Sequence, residues 1–316
     1  MSHEVLQRLS EAAARFTSVV PTVDGGAISA YMRVGELLYG LTAAIGDAEA
    51  NGISKEEIRR CVASAREIIG WSPFGKRMQT WPRGYPGDFE TVEWIVRQTD
   101  RAEPNTVGSQ IERHGLNAAV CQQHRNKIAF QARLMLSVAE QSEGGASILL
   151  IASGSALDLQ SIKDCRAIQR SSFVLNDIDG DALNAARNNL GALANRCEFV
   201  VGNALEVTSR IAAQGPFDLI LTGGLFDYLS ERTARLLLRI AVTKWLKPGG
   251  QVYFSNMAVG NPFRHWMEYL EDWPLIERTE NDVGDLLEPL RDLISNYEIA
   301  RDATSLALLV VATKTS

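Results

Sequence analysis

The sequence predicts an α/β fold, with a doubly wound and mostly parallel sheet, preceded by an all-helical N-terminal domain. Three observations carry that expectation. Apolar residues recur at three- and four-residue spacing up to about residue 140, the period changes after Gly145 to short continuous apolar runs, and those runs alternate with helical stretches. The runs read SILLIA, SFVLND, CEFVVG, FDLILTGG, QVYFSNM and SLALLVVAT. Strands that are Val/Ile/Leu-rich throughout are buried on both faces, as in parallel sheets with right-handed helical crossovers. The last is expected to return antiparallel. Domains are expected at 1–143 and 144–316.

In the helical half, Ser54 and Glu57 stand at capping-box spacing, and Ile58, Cys61, Val62, Ala65, Ile68 and Ile69 then mark one face of a helix from Ile53 to Gly70. A second helix is expected from about Val107 to Gln141, stopped by Gly144-Gly145. Between them, the Pro-, Gly- and aromatic-rich segment WSPFGKRMQTWPRGYPGDF reads as a shaped loop leading into a helix near Asp88. In the sheet half, DALNAARNNLGAL and SERTARLLLRIAVTKWL are the clearest helices.

Composition narrows the partners. With 46% hydrophobic residues the chain can bury cores, and a net charge of -6 without a long Lys/Arg run argues against a nucleic-acid partner. No run approaches the roughly 18 apolar residues of a membrane span, and the start lacks a signal-peptide core, so a cytoplasmic protein is expected. Cys61, Cys121, Cys165 and Cys197 lie apart without a CxxC pair, which suggests reduced thiols and no metal. A small-molecule substrate fits this balance, and the amphipathic N-terminus is compatible with a homodimer.

In a doubly wound sheet, ligands bind beyond the carboxyl ends of the strands. The first strand ends in the small-residue turn Ala152-Ser153-Gly154-Ser155-Ala156, where a ligand can approach the backbone. The second ends in Asn176-Asp177-Ile178-Asp179, placing a carboxylate to accept from a ribose diol. The third ends in Gly202-Asn203-Ala204, where the Asn amide suits an adenine edge, and the fourth in Thr222-Gly223-Gly224-Leu225-Phe226-Asp227-Tyr228. Each alone also fits an ordinary strand-to-helix turn, and Asp179 fits a helix cap; their succession in order favours a ligand site. Dinucleotide binding expects GxGxxG, whereas IASGSALDL offers one glycine, and no GxxxxGK[ST] is present for a P-loop.

Over roughly residues 145 to 316 these features resemble class I S-adenosylmethionine (SAM)-dependent methyltransferases, together with GNA in place of that family's common GDA and Leu246-Lys247-Pro248-Gly249-Gly250 before the fifth strand. The resemblance implies a seven-stranded Rossmann-like sheet with a helical N-terminal cap and SAM as cofactor. It also implies Ala152, Ser153, Gly154 and Ser155 at the methionine moiety, Asp177 and Ile178 at the ribose, Asn203 and Ala204 at the adenine region, and Thr222 and Gly223 completing the set. The chain departs from the family where the glycine triplet is reduced to Gly154 and where Asn203 replaces Asp. Those departures keep an NAD-dependent oxidoreductase and a non-catalytic module open.

A narrower resemblance is to bacterial methyltransferases of the 3-hydroxypalmitic acid methyl ester group. It rests on Arg83-Gly84-Tyr85-Pro86-Gly87-Asp88, on GLFDYL from Gly224 to Leu229, and on Asn261-Pro262-Phe263-Arg264 with His265-Trp266-Met267-Glu268 after it. Relatives of this type also include methionine S-methyltransferases. The candidate substrate residues are Arg83, Tyr85, Asp88, Arg125 and Tyr228. The arginines suit forked hydrogen bonds to a carboxylate, Asp88 or Asp227 an ammonium, and Tyr85, Tyr228, Trp81, Phe89 and Phe226 the walls. Asp88 fits equally the N-cap of the next helix, paired with Arg83. Of the histidines at 3, 114, 124 and 265, His3 reads as part of a frayed terminus and His114 as a helix-surface residue, and a structural role is favoured for each. The expected acceptor is a small carboxylate-bearing molecule, first an amino-acid thioether such as methionine, next a hydroxy fatty acid carboxylate.

Overall fold

The computed structural model describes residues 2–316, and the chain divides into two compact units. One takes the described residues up to Gln122 together with Asn261–Leu275; the other takes Gln123–Gly260 and Ile276–Ser316. The sequence places a single division at 143/144, whereas the structure divides inside a continuous helix and assigns a late segment to the first unit. Neither feature changes the hydrophobic period, so neither leaves a mark in sequence.

The helical unit contains α1 (Ser2–Val19), α2 (Ala30–Ala50), α3 (Lys55–Cys61), α4 (Ala63–Ile69), α5 (Pro73–Thr80), α6 (Phe89–Arg97) and α7 (Val107–Asn117). Its core gathers Leu9, Phe16, Leu38, Ile45, Ile58 and Ile111, joined by Tyr269 and Leu270 of the late segment. The Ser54 hydroxyl caps α3 by accepting from Glu57 N at 3.2 Å. The helix expected from Ile53 to Gly70 is two, broken at Val62 (φ -95°, ψ 5°). The longer one is also two, because Ala118 is extended (φ -60°, ψ 148°) between α7 and α8 (Ala119–Gln141). One residue out of helix leaves the apolar period almost unshifted, so spacing alone does not register it. The stretch read as loop contains α5, started by the Ser72 cap and Pro73 in its first turn, where a proline lacks only an N–H the helix would leave unpaired.

The second unit holds β1 (Ser147–Ile151), β2 (Ser172–Asp177), β3 (Cys197–Val201), β4 (Phe217–Thr222), β5 (Leu246–Met257), β6 (Ile294–Arg301) and β7 (Ala307–Lys314) in the order β3-β2-β1-β4-β5-β7-β6. β1 to β5 run parallel; β7 is antiparallel to β5, and β6 to β7. Leu175, Leu150, Leu221 and Tyr253 are register partners in one row. That row packs with Met135 and Ala139 of α8, Leu159 of α9 (Leu157–Ile162), Ile168 of α10 (Arg166–Arg170) and Leu183 of α11 (Gly180–Leu190). The alternate residues Leu149, Val174, Ile220 and Val252 pack with Ile211 of α12 (Thr208–Ala212), Leu237 of α13 (Glu231–Ile240) and Leu286 of α14 (Glu280–Leu287). Two buried faces are why these strands lack polar alternation. The helix expected to run on to Trp245 and Leu246 instead leaves α-geometry after Ile240, through a π-helical turn at Ala241–Trp245.

The seam between α8 and β1 depends on Gly145, whose φ is +94° and whose missing Cβ would sit 2.2 Å from the Arg170 carbonyl oxygen. Gly145→Ala is therefore expected to destabilise the chain by about 2 kcal/mol, read as a lowered denaturant midpoint at unchanged m-value. An unaltered midpoint would refute the close approach.

Candidate functional site

Beside β1 the strand order reverses, with β2 on one side and β4 on the other, which opens a crevice at the carboxyl ends. The turn after β1 has left-handed residues at every second position: Ala152 (φ 50°), Gly154 (φ 53°) and Ala156 (φ 55°). Sequence reasoning found one glycine here; the backbone holds the left-handed geometry three times, with alanine at two positions where L-residues are strained. Ala152 is exposed, so Ala152→Gly sheds strain without opening a void. A gain of about 0.5–1 kcal/mol in unfolding free energy is expected, with loss of stability as the contrary result.

The ends of β1, β2 and β3 are tied together. Gly154 N donates to Asp177 Oδ2 at 2.8 Å, Asp179 N donates to Asp177 Oδ1 at 2.9 Å, and Ser153 N donates to the Asn176 carbonyl at 3.1 Å. The Asn176 amide, 1% exposed, donates to the Val200 and Gly202 carbonyls, both at 2.8 Å. Each Asp177 oxygen thus accepts one of these backbone N–H groups and has lone-pair capacity left, enough for the two hydroxyls of a ribose diol. Burial pushes the Asp177 carboxyl above the usual range, and the backbone N–H groups of Asp179, Gly154 and Ile178 pull the other way.

Next to this carboxylate, Ile178 is 66% exposed, an apolar side chain at a strand end with no core to cover it. Asn203 Oδ1 accepts from Leu205 N at 3.0 Å, which turns the loop after β3 and identifies the oxygen. Ser153 Oγ is buried and makes no hydrogen bond, whereas Ser155 and Ala204 are covered and serve the packing of the turns. Asp179 caps α11 through Asp181 N, as its alternative reading expects. Thr222 is buried at the end of β4, and Gly223 leaves so little room that an added Cβ would lie 2.4 Å from Gln131 Oε1.

That contact belongs to a feature the sequence reading overlooked. Gln123, Lys127 and Gln131 stand at four-residue spacing on one face of α8 and are 0%, 2% and 6% exposed. Lys127 Nζ lies 3.6 Å from Asp227 Oδ2, an ion pair too long for a hydrogen bond, and both side-chain atoms of Gln123 are buried without partners. A helix that is otherwise apolar towards a sheet does not carry three buried polar side chains without use for them.

Asp227, proposed from sequence to hold an ammonium, faces that of Lys127 and accepts from Met257 N at 2.5 Å. Arg278 secures the same loop through the Phe226 and Leu229 carbonyls at 2.8 and 2.6 Å. Burial raises the Asp227 carboxyl, against the pull of Lys127. Asp158, in the first turn of α9, is also buried, and its pKa is pushed up to about 6. An acid at that position reads in sequence as an ordinary helix-start residue, so its burial went unseen.

Of the substrate candidates, Arg125 and Tyr228 lie in the sheet unit; Tyr228 is 39% exposed. Arg83, Tyr85 and Asp88 lie in the helical unit. Asp88 caps α6 through Glu90 N and Thr91 N and pairs with Arg77 at 2.6 Å, so the capping role holds with a different arginine. Arg83 lies 4.8 Å over the Phe89 ring and 3.4 Å from Glu90. His114 is buried, not on the surface: its ring stacks on Tyr31 at 3.8 Å, and burial keeps it neutral. His265 joins Arg264 and Tyr269 around Glu49. His124 is held well below the ordinary histidine range by burial and by the Lys127 and Arg125 cations. All four cysteines are free, and among the described residues no cluster of His, Cys, Asp and Glu could hold a metal and no helix is long and apolar enough to cross a membrane.

No family model and no curated protein matches the chain. Among solved structures it is similar to a possible exported protein from Bordetella parapertussis, with 14% identity and a TM-score of 0.58 over 100% of this chain and 97% of that one. It is also similar to the CurJ carbon methyltransferase, with 12% identity and a TM-score of 0.52 over 99% and 93% of the two chains. At such identities the likeness is one of fold: a Rossmann-like, mostly parallel seven-stranded sheet with a helical N-terminal region.

Proposed function

We propose that the crevice at the ends of β1 to β4 binds S-adenosylmethionine and that the chain transfers its methyl group to a small carboxylate-bearing acceptor. The observation that carries this reading is Asp177: a carboxylate anchored by two backbone donors, with an acceptor site left on each oxygen, beside the exposed Ile178. Asp177 would take the ribose diol, Ile178 an adenine face and the Asn203 amide N–H₂ an acceptor on the adenine edge, while the partnerless Ser153 hydroxyl and Gln123 amide would meet the polar amino-acid end. When bound, the cofactor supplies a methyl group on a sulfonium that needs no activation by the protein. The protein's task is alignment and exclusion of water.

For the acceptor the reading is an amino-acid thioether such as methionine. Arg125 is the cation assigned to its carboxylate and Tyr228 the aromatic neighbour; Arg83 is the alternative cation, and Arg125→Ala and Arg83→Ala assayed separately decide between them. A thioether attacks without losing a proton, which suits a chain whose His114 and His124 are held below the ordinary histidine range by burial. The pH-rate profile is accordingly expected to be flat between about pH 6 and 9, while a rise with one ionisation would point to a proton-removing base. Labelled SAM offered with a panel of amino acids and hydroxy acids tests the function, product being read by mass. Labelled methionine supports the reading, a labelled hydroxy fatty acid ester moves the acceptor to a carboxylate oxygen, and binding of NAD in place of S-adenosylhomocysteine overturns it.

A further inference from the structure

The helical unit encloses a small cavity of about 20 Å³, room for one water-sized group. Phe74, Phe263, Trp266, Met267 and Trp273 form apolar walls, and Glu271 is the one charged residue lining it. Glu271 is 6% exposed, and the other buried acids of this unit show how unusual it is. Glu112 accepts from the Ser72 hydroxyl, Phe74 N and Arg101 N at 3.0, 3.0 and 2.7 Å, and Glu268 pairs with Lys55 and Arg264. No cation acts on Glu271 among the described residues; burial dominates its surroundings, and only the Trp266 indole N–H lies on its side. That N–H is itself buried and closes no hydrogen bond of normal geometry. A buried carboxyl without a cation, beside an indole N–H that closes no hydrogen bond of normal geometry, marks a place in an apolar cavity that suits a polar guest.

We infer that this cavity binds a primary ammonium group, with Glu271 as its counter-ion and the indole rings of Trp266 and Trp273 facing the cation. The size admits a single heavy-atom head, which excludes bulkier quaternary groups. Aromatic walls with one carboxyl offer cation-π attraction and one strong acceptor, and lack the several oxygen ligands that a hard metal ion demands. Because burial pushes the empty carboxyl up to about 8, the acid is protonated at neutral pH and ionises when the cation enters, so binding releases a proton. This inference goes beyond the methyl-transfer reading and stands or falls without it.

The test is calorimetric titration of the full chain with ammonium chloride and with methylammonium chloride in two buffers of different ionisation enthalpy. Saturable binding that releases close to one proton at about pH 7 is the expected result; at about pH 9.5 methylammonium should release almost none, and ammonium should take up part of a proton because over half of it is free ammonia there. Glu271→Gln should weaken binding roughly tenfold or more and abolish the proton release. Ala118→Val, which enlarges an uncharged lining residue, should weaken it similarly while the thermal midpoint is kept or raised. Ammonium alone binding would assign the site to the free ion, and methylammonium binding as well to an alkylamine head. No saturable binding, or binding indifferent to both substitutions, would overturn the inference.

Discussion

Asp177→Ala is expected to lower affinity for S-adenosylhomocysteine roughly 100-fold, because two hydrogen bonds to an ionised carboxylate, at about 1.5 kcal/mol each, are lost together. Titration calorimetry reads the loss directly, and circular dichroism shows whether the crevice has kept its fold. Retained affinity would remove the ribose assignment. Affinity should also depend on pH. Burial raises the Asp177 carboxyl above its ordinary value, so the acceptor form is lost on acidification earlier than for an exposed aspartate. The stability effect has the opposite sense. A raised folded-state pKa contributes stability below the unfolded value, and that contribution fades as pH rises through the folded one. At neutral pH the bare carboxylate is thus a burden on the fold, partly offset by Gly154 N and Asp179 N. A site that weakens its own scaffold in this way is what ligand binding, not packing, would retain.

The second large effect is expected at Lys127. Replacing it with methionine leaves Asp227 buried without its cation, a change that costs about 3–5 kcal/mol in comparable buried pairs. Thermal unfolding should show a deep fall at neutral pH. Losing Lys127 raises the Asp227 carboxyl further, so the deficit should shrink on acidification as that carboxyl protonates. Adding Asp227→Asn should restore most of the stability, since the amide oxygen still accepts from Met257 N. If the double variant were no more stable than Lys127→Met alone, the pair would not be coupled and the buried stripe on α8 would need another explanation.

The sheet was legible because both its faces are buried along β1, β2, β4 and the second half of β5, so those strands announce themselves as mostly apolar runs. The border strand β3, largely uncovered, rests on Phe199-Val200-Val201. The strand ends, where a ligand set was sought, were legible for the same reason: once the strands are placed, their ends follow. What stayed hidden was conformation that side-chain identity does not encode. Ala152 and Ala156 hold left-handed backbone that glycine normally supplies, and Ala118 interrupts a periodic stripe without altering its spacing. The α8 stripe was missed because Gln123, Lys127 and Gln131 look like the solvent face of an amphipathic helix until the sheet covers them. Asp88 went the other way: its aromatic and glycine-rich setting suggests a ligand, but Glu90 and Thr91 of α6 and Arg77 already occupy its oxygens.

One strand escaped the sequence altogether. β6 is exposed over Ser295, Asn296, Tyr297 and Glu298, and it lies at the border of the sheet. Its polar make-up is also a safeguard. A border strand presents unpaired N–H and C=O groups that could recruit a strand from a second molecule, and charged side chains such as Glu298 and Arg301 make that accretion unfavourable. The trait that silences β6 in a hydrophobicity profile is thus the one that keeps the sheet from growing into an aggregate.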